Sequence, residues 1–364
     1  MHPLRIAGAA AVVAGAAYLL LQLGGSAQAR NPAAVELRPP APQQVFAPSA
    51  PLQAKLRAPV PQQVFARSAP LKKDQTSLVA FETAPFPYSG SVAETDKPFI
   101  NVEENGRRGH RTAFGRTYWE DETYADSRVL LHIPKGFDVR RPSVMIVYFH
   151  GHGATLRRDV LARQRVPAQI SASGVNAVLV VPQFAVDASD SSAGKFWQPG
   201  AFGEFLGEAA QKLALLHGDP RSVRAFASMP IVMVAYSGGY APAAWCASRG
   251  GVSNRVRGVV LLDALYGELD KFASWISADR SAFFVSTYLS STRDKNAELE
   301  RVLVSRDVEI TNGLDRRLTP GSVSIFAGVG DGTEGKRTHR DLVTHAWVDN
   351  PLADLLGRLK EYRR

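Results

Sequence analysis

Several short polar or glycine-containing groups follow apolar stretches of the chain, and they contain the residue types of nucleophilic catalysis. In chain order they supply histidine with glycine, a serine beside two glycines, an acid, and histidine again. A serine hydroxyl becomes a nucleophile when a histidine removes its proton and an acid orients that histidine. The groups are His150-Gly151-His152-Gly153, Gln183, Ser237-Gly238-Gly239, Asp263, Asp294, and the pair His339 and His345.

Apolar runs and helix-like segments alternate along the part of the chain that contains these groups. Strands that are apolar along their whole length, separated by amphipathic helices, predict a mostly parallel sheet with helices on both faces. Ligands of such sheets bind beyond the carboxyl ends of the strands, where the polar groups lie. The predicted strands are 128–134, 143–150, 176–184, 230–237, 256–264, 282–289 and 322–330, and the predicted helices include 156–173 with a break near Pro167, 199–217, 295–305 and 351–363.

The serine lies in the pentapeptide Ala235-Tyr236-Ser237-Gly238-Gly239, between an apolar run and an alanine-rich segment. This pattern resembles the G-x-S-x-G turn of the α/β-hydrolase family, in which the nucleophile stands on a strained strand-to-helix turn. Alanine replaces the first glycine, and a methyl group can be accommodated there. The resemblance covers about residues 110–364. It implies an α/β-hydrolase fold, a serine nucleophile at Ser237, an acyl-enzyme intermediate, and no cofactor or metal.

The segment FHGHGAT after the second predicted strand resembles the early His-Gly turn of the same family. The resemblance implies an oxyanion hole formed by the amides near Gly151 and His152 together with the amide of Gly238. An alternative is that His150 and His152 bind zinc, but the only further ligand nearby is Asp159.

Two residues are candidates for the acid. Asp263 directly follows an apolar strand, where a buried carboxylate needs a partner such as histidine. Asp294 follows the next strand, the position that the family uses more often. We favour Asp263.

Two residues are candidates for the base. His345 has apolar neighbours that would keep the imidazole dry, whereas His339 lies between basic residues and looks solvated. We therefore predict His345 as the base.

The stretch 330–338, GDGTEGKRT, nearly matches a phosphate-binding loop, but it has arginine where serine or threonine should bind magnesium. We interpret it as the loop that carries the histidine.

The amino terminus predicts export. A basic start, an uncharged apolar run at 6–25 and a small-x-small site predict a signal peptide over 1–29, or a membrane anchor if the segment is not cleaved. Residues 30–80 are rich in Pro, Ala and Gln, contain a repeat at 37–53 and 56–72, and predict an extended linker before a hydrolase domain at 81–364.

The charge distribution concerns possible partners. Of the net charge of +9, residues 1–80 carry +6, with eight basic and two acidic residues. A basic segment outside the cytoplasm favours an anionic membrane or cell-wall surface, rather than nucleic acid, as its partner. Nothing in the sequence indicates the oligomeric state.

These features predict an exported, periplasmic or secreted, serine hydrolase that cleaves a small or polymeric carboxylic ester. The polar segment 186–205, with Phe196 and Trp197, is predicted to cap the site. Two alternatives stay open: an amidase or peptidase on the same fold, and a catalytically silent relative that binds envelope polymer. The single cysteine, Cys246, excludes an intramolecular disulfide.

Overall fold

The computed structural model describes residues 70–329 and 338–364. The predicted signal segment, most of the predicted linker and nearly all of the phosphate-loop-like stretch lie outside these residues. Within 70–329 and 338–364, we find no helix with the length and apolar character needed to cross a membrane.

Eleven strands are present in the described residues. They are β1 (Gln75–Ala80), β2 (Val102–Glu104), β3 (Arg107–Arg111), β4 (Thr117–Trp119), β5 (Arg128–Ile133), β6 (Val144–Phe149), β7 (Ala177–Pro182), β8 (Ile231–Tyr236), β9 (Val256–Leu262), β10 (Phe283–Tyr288) and β11 (Val323–Ala327). Eight of them form one sheet in the order β1-β5-β7-β6-β8-β9-β10-β11. The pairs β1–β5 and β5–β7 are antiparallel and the others are parallel. The strands β2, β3 and β4 form a small antiparallel sheet.

The helices connect the strands of the large sheet. The α-helices of the described residues are α1 (Glu120–Thr123), α2 (Val166–Ala172), α3 (Ala201–His217), α4 (Val223–Ser228), α5 (Tyr240–Arg249), α6 (Leu269–Ala278), α7 (Arg293–Val304) and α8 (Pro351–Leu356). A π-helical segment spans Leu156–Arg163, and short 3-10 turns include Gly194–Trp197, Ser237–Gly239, His339–Asp341 and Lys360–Tyr362.

Both faces of the sheet are buried. All six residues of β6, of β7 and of β8 are buried. Along β8, alternate residues belong to two separate apolar clusters, with Met233 and Ala235 in one and Val234 and Tyr236 in the other. Alternation places successive side chains on opposite faces. The predicted fold class, a mostly parallel sheet covered by helices on both faces, is confirmed.

Two predicted boundaries are wrong, and the predicted break in the helix 156–173 is present near Pro167. Strand β1 lies inside the predicted linker 30–80 and pairs with β5 along its whole length, so the folded domain begins before residue 81. The predicted helix 156–173 consists of the π-helical segment and α2, separated at Arg165, which has a left-handed backbone conformation. The closing helix ends at Leu356 instead of continuing to residue 363.

The order of the strands determines where a site can form. Strand β6 lies between β7 and β8, so the chain leaves β6 toward β7 on one side and later returns to β8 on the other. A crevice forms at the carboxyl ends of strands where the order reverses in this way. The residues that follow β6 and β8 are therefore the ones expected to form a site.

Candidate active site

Ser237 follows β8 directly and has φ of 53°, a left-handed conformation that non-glycine residues rarely adopt. Residues 237–239 form one 3-10 turn that continues into α5. A side chain at Gly239 would overlap the carbonyl group of Phe149, so the close packing of this turn on β6 requires glycine. Ala235 is completely buried, and its methyl group fits into the core. The strained strand-to-helix turn predicted from the sequence is therefore present.

The side chain of Ser237 forms a hydrogen-bonded relay with a histidine and an acid. Its Oγ lies 2.7 Å from Nε2 of His339, and Nδ1 of His339 lies 2.6 Å from Oδ2 of Asp263. An ionised carboxylate can only accept a hydrogen bond, so Nδ1 carries the proton and donates it. Nε2 is then free to accept the hydrogen bond from the serine hydroxyl. This is the arrangement that general-base activation of a serine requires.

Asp263 lies at the carboxyl end of β9 and is fully buried. Its Oδ1 accepts hydrogen bonds from the amide of Leu289 and the hydroxyl of Thr292, and its Oδ2 accepts one from the hydroxyl of Ser291 at 3.0 Å. Burial by itself raises the pKa of Asp263. The hydrogen bonds from His339, Thr292 and the Leu289 amide together outweigh burial, so the pKa lies below its usual range.

His339 is the first residue of a 3-10 turn that follows Thr338. The side chains of Thr338 and Asp341 form a capping box that begins this turn. The imidazole stacks on the ring of Tyr236, with centroids 4.9 Å apart, and the ring of Tyr266 lies edge-on to it at 6.3 Å. The side chain of His339 remains 33% exposed, so the base stays in contact with solvent.

The prediction of His345 as the base is wrong, because the structure places His339, and not His345, within hydrogen-bond distance of Ser237. His345 is exposed, and its Nδ1 lies 2.9 Å from the hydroxyl of its neighbour Thr344. The apolar neighbours that favoured His345 in the sequence, Leu342 and Ala346 among them, are themselves buried in the core. In this tight turn their burial leaves the imidazole of His345 on the outside.

The capping pattern Thr-His-Arg-Asp at 338–341 was the signal that sequence reasoning missed. A threonine followed three residues later by an acid predicts the start of a helical turn. Such a turn would have placed His339 at its first position.

Asp294, the alternative acid, lies exposed in the first turn of α7 and takes no part in the relay, whereas Asp263 contacts the histidine.

The three residues predicted for the oxyanion hole surround the nucleophile. A β-carbon added to Gly151 would lie 2.7 Å from the β-carbon of Ser237, so the turn after β6 passes directly beside the serine. The imidazole of His152 lies against the α-carbon of Gly238, where any side chain would overlap it. The structure therefore brings Gly151, His152 and Gly238 together at Ser237.

His150 orients the peptide between Gly151 and His152. Its Nε2 accepts a hydrogen bond from the amide of Phe184 at 2.9 Å, so its Nδ1 carries the proton and donates to the carbonyl of Gly151 at 2.9 Å. Burial lowers the pKa of His150 to about 4, which keeps the ring neutral near pH 7. In a trans peptide the N–H points opposite to the C=O, so the amide of His152 points away from His150.

The zinc interpretation of His150 and His152 does not fit these contacts. Both ring nitrogens of His150 are hydrogen-bonded within the protein, and the carboxylate of Asp159 is paired with Arg158 and Arg163. The portion of the chain that the structure describes contains no group of three or more His, Cys, Asp or Glu suited to holding a metal.

The segment predicted as a cap borders the site through Ser191. Its hydroxyl lies 2.7 Å from Nε2 of His152. The two aromatic residues of the segment lie elsewhere: Phe196 is buried in the core against Phe202, and Trp197 packs on Tyr88 and Phe99. The prediction is therefore corrected for these two residues, which do not cover the site.

No family model and no curated protein sequence matches the chain. Solved structures with a similar chain path include a mutant of the feruloyl esterase module from Clostridium thermocellum, 13% identical, with 75% of this chain and 97% of that chain covered and a TM-score of 0.39. An esterase from Pseudomonas putida is 12% identical, with 73% and 86% covered and a TM-score of 0.38. An esterase from Pyrobaculum calidifontis is 14% identical, with 63% and 80% covered and a TM-score of 0.37.

The fold is identified by the chain's own geometry. The sheet is mostly parallel, and the site lies at the reversal of its strand order. The serine stands on a strained turn between a strand and a helix, and the acid and the histidine follow it in the chain in that order. This combination is the pattern of the α/β-hydrolase fold. The chain therefore has the α/β-hydrolase fold.

Proposed function

We propose that the protein is a serine hydrolase that cleaves a carboxylic ester through an acyl-enzyme intermediate. The observation that carries the proposal is the relay from Ser237 through His339 to Asp263, with distances of 2.7 Å and 2.6 Å. The left-handed conformation of Ser237 supports it, because strained backbone at the end of a central strand is typical of a catalytic nucleophile.

The relay accounts for the first half of the reaction. As Ser237 Oγ attacks the acyl carbon, its proton moves to Nε2 of His339 and the carbonyl electrons move onto oxygen. The amides of His152 and Gly238 would donate hydrogen bonds to this oxyanion, and a missing donor typically costs about 3 kcal/mol. When the tetrahedral intermediate collapses, His339 returns the proton to the departing alcohol, and the acyl group remains on Ser237.

The second half repeats these steps with water. His339 removes a proton from water, the hydroxide attacks the acyl-enzyme, and the proton returns to Ser237 as the acid product leaves. Asp263 stays ionised throughout, because its hydrogen bonds favour the carboxylate form. It thereby holds Nδ1 of His339 as the donor and stabilises the imidazolium that forms in each half.

The same machinery can cleave amides, so the choice of ester depends on the leaving group. The nitrogen of an amide must be protonated before it can leave a tetrahedral intermediate, whereas the oxygen of an ester can leave with less proton transfer. Esters therefore make the smaller demand on His339, whose side chain is one third exposed. We also propose that the enzyme acts outside the cytoplasm, since the pattern of residues 1–29 is that of a signal segment. The basic segment before β1 would then favour contact with an anionic membrane or cell-wall polymer.

The proposal is tested by covalent labelling with a fluorophosphonate probe. The folded wild-type protein should be labelled, and Ser237→Ala should abolish labelling without unfolding the protein. Ser189→Ala is a matched control, because Ser189 is an exposed serine of the same domain. Absence of labelling in folded wild-type protein would overturn the proposal and favour a silent binding protein.

A panel of p-nitrophenyl esters of increasing acyl length, run beside an aminopeptidase substrate, then determines the substrate class. Turnover of esters supports the proposal, and the preferred acyl length indicates the size of the acyl group. Turnover of the amide substrate alone would replace the ester assignment with a peptidase or amidase. Fractionation of cells and the mass of the mature amino terminus test export.

A further inference from the structure

Tyr236, the residue directly before the nucleophile, makes two separate contacts with the base. Its ring stacks on the imidazole of His339, with centroids 4.9 Å apart and planes 21° from parallel. Its hydroxyl donates a hydrogen bond to the backbone carbonyl of the same histidine at 2.9 Å. One side chain therefore contacts both the ring and the backbone of His339.

The two contacts restrict different motions of the base. Asp263 and Ser237 each hold one ring nitrogen of His339. The stack on Tyr236 restricts tilting of the ring plane, and the hydroxyl bond restricts movement of the turn that carries the histidine. A misplacement of about 1 Å in a catalytic group can cost about 100-fold in rate, so both restrictions bear directly on activity.

Tyr236 is suited to this task by its own position. It is the last residue of β8, a strand in the middle of the sheet, and its side chain is 4% exposed. Burial raises the pKa of its hydroxyl well above the usual value, so the hydroxyl stays protonated and remains a donor. The protonated hydroxyl cannot act as a base. It contacts the backbone carbonyl of His339, not the reacting atoms.

We propose that Tyr236 is the positioning residue of the base, and that the dipeptide Tyr236-Ser237 supplies both the nucleophile and the support of its histidine. The sheet thereby fixes His339, although this residue lies on a short turn far from β8 in the sequence. The inference rests on the proposed function, because a base needs positioning only if Ser237 reacts.

The test compares two substitutions of Tyr236 with a matched control. Tyr236→Phe keeps the stack and removes the hydroxyl bond, and Tyr236→Leu removes both contacts. Tyr148→Phe is the control, because Tyr148 lies in the adjacent strand β6, is buried, and uses its hydroxyl to bond Gln164 at 3.1 Å without contacting His339. The measurements are kcat and KM for the best ester and the second-order rate of fluorophosphonate labelling.

We expect kcat to fall about tenfold in Tyr236→Phe, which corresponds to the loss of one hydrogen bond, and about 100-fold in Tyr236→Leu. KM should stay unchanged, and the labelling rate should fall in proportion to kcat. Tyr148→Phe should lose comparable thermal stability and keep its kcat. A purely structural role for Tyr236 would make the Phe variants of the two tyrosines alike in kcat, which would overturn the inference.

The outcomes separate this inference from the proposed function. Wild-type protein that is neither labelled nor active overturns both. Wild-type protein that is labelled, together with undiminished kcat in Tyr236→Phe, overturns only the role of Tyr236. If Tyr236→Leu does not fold, the comparison of kcat between Tyr236→Phe and Tyr148→Phe still tests the inference.

Discussion

Asp263 and His339 are 2.6 Å apart, but they are held by different parts of the molecule. Asp263 is fully buried at the end of β9, and its carboxylate accepts hydrogen bonds from the amide of Leu289 and from the hydroxyls of Ser291 and Thr292. The acid is therefore fixed by the sheet and by the residues that follow β10.

His339 has much less protein around it. It lies on a three-residue turn, its side chain is one third exposed, and Tyr236 and the capping box of Thr338 and Asp341 hold it in place. The triad thus combines an acid built into the sheet with a histidine that a loop supplies. Substitutions on the two sides should therefore have different consequences for activity and stability.

The largest effect is expected for the base. His339→Ala should lower kcat/KM by about 10⁴-fold to 10⁶-fold, because Ser237 loses the group that accepts its proton. Thermal stability should change little, since the side chain is partly exposed. The measurement is ester hydrolysis beside a thermal unfolding curve.

His345→Ala is the matched control for that experiment. His345 lies on the same loop, and its exposed imidazole hydrogen-bonds the hydroxyl of its neighbour Thr344. Its substitution should leave kcat/KM within about twofold of wild type. A large loss in His345→Ala with retained activity in His339→Ala would mean that the relay seen in the structure is not the one used in catalysis.

The acid should show a smaller effect on rate and a larger effect on stability. Asp263→Asn should lower kcat by about 10⁴-fold, because an amide at this position favours the wrong tautomer of the histidine. The buried hydroxyl and amide donors around it would lose a charged acceptor, so the melting temperature should fall as well. Asp294→Asn, on the exposed first turn of α7, should change neither quantity. Equal loss of activity in both variants would contradict the assignment of Asp263.

The smallest effect is expected in the dependence of stability on pH. Folding lowers the pKa of Asp263 below its unfolded value of about 3.9. A carboxyl group whose pKa is lowered by folding stabilises the folded protein at pH values above its pKa in the unfolded state. This stabilisation is lost as the pH falls through its pKa in the folded state. The stability difference between wild type and Asp263→Asn should thus be constant near pH 7 and shrink below about pH 4. Urea unfolding at several pH values measures it, and a difference that grows on acidification would contradict the sign.

The sequence predicted the sheet because its central strands carry an unambiguous pattern. The strands β6, β7 and β8 are apolar and buried throughout, and such runs predict a sheet covered on both faces. The edge strand β1 was missed, since QTSLVA mixes polar and apolar residues, and its residues are half-buried or exposed. An edge strand needs little apolar surface, so composition alone assigned it to the linker.

The same contrast explains which site residues could be predicted. Ser237 and Asp263 directly follow central strands, so the positions of the strands determine where these side chains lie. His339 comes a dozen residues after the last strand, and the distance along the chain does not determine which histidine returns to the serine. Only contacts between distant residues, such as the bond from Tyr236 to the carbonyl of His339, decide between His339 and His345.

Strand β1 has a practical consequence for the isolated domain. It pairs with β5 along all six residues, and five of the six residues of β5 are buried. A protein shortened to begin at residue 81 would present β5 as an open, apolar edge, which is a template for strand pairing between molecules. A protein shortened to begin at residue 70 would keep that edge covered. Those eleven residues therefore decide whether the hydrolase domain can be prepared in soluble form without its amino-terminal segment.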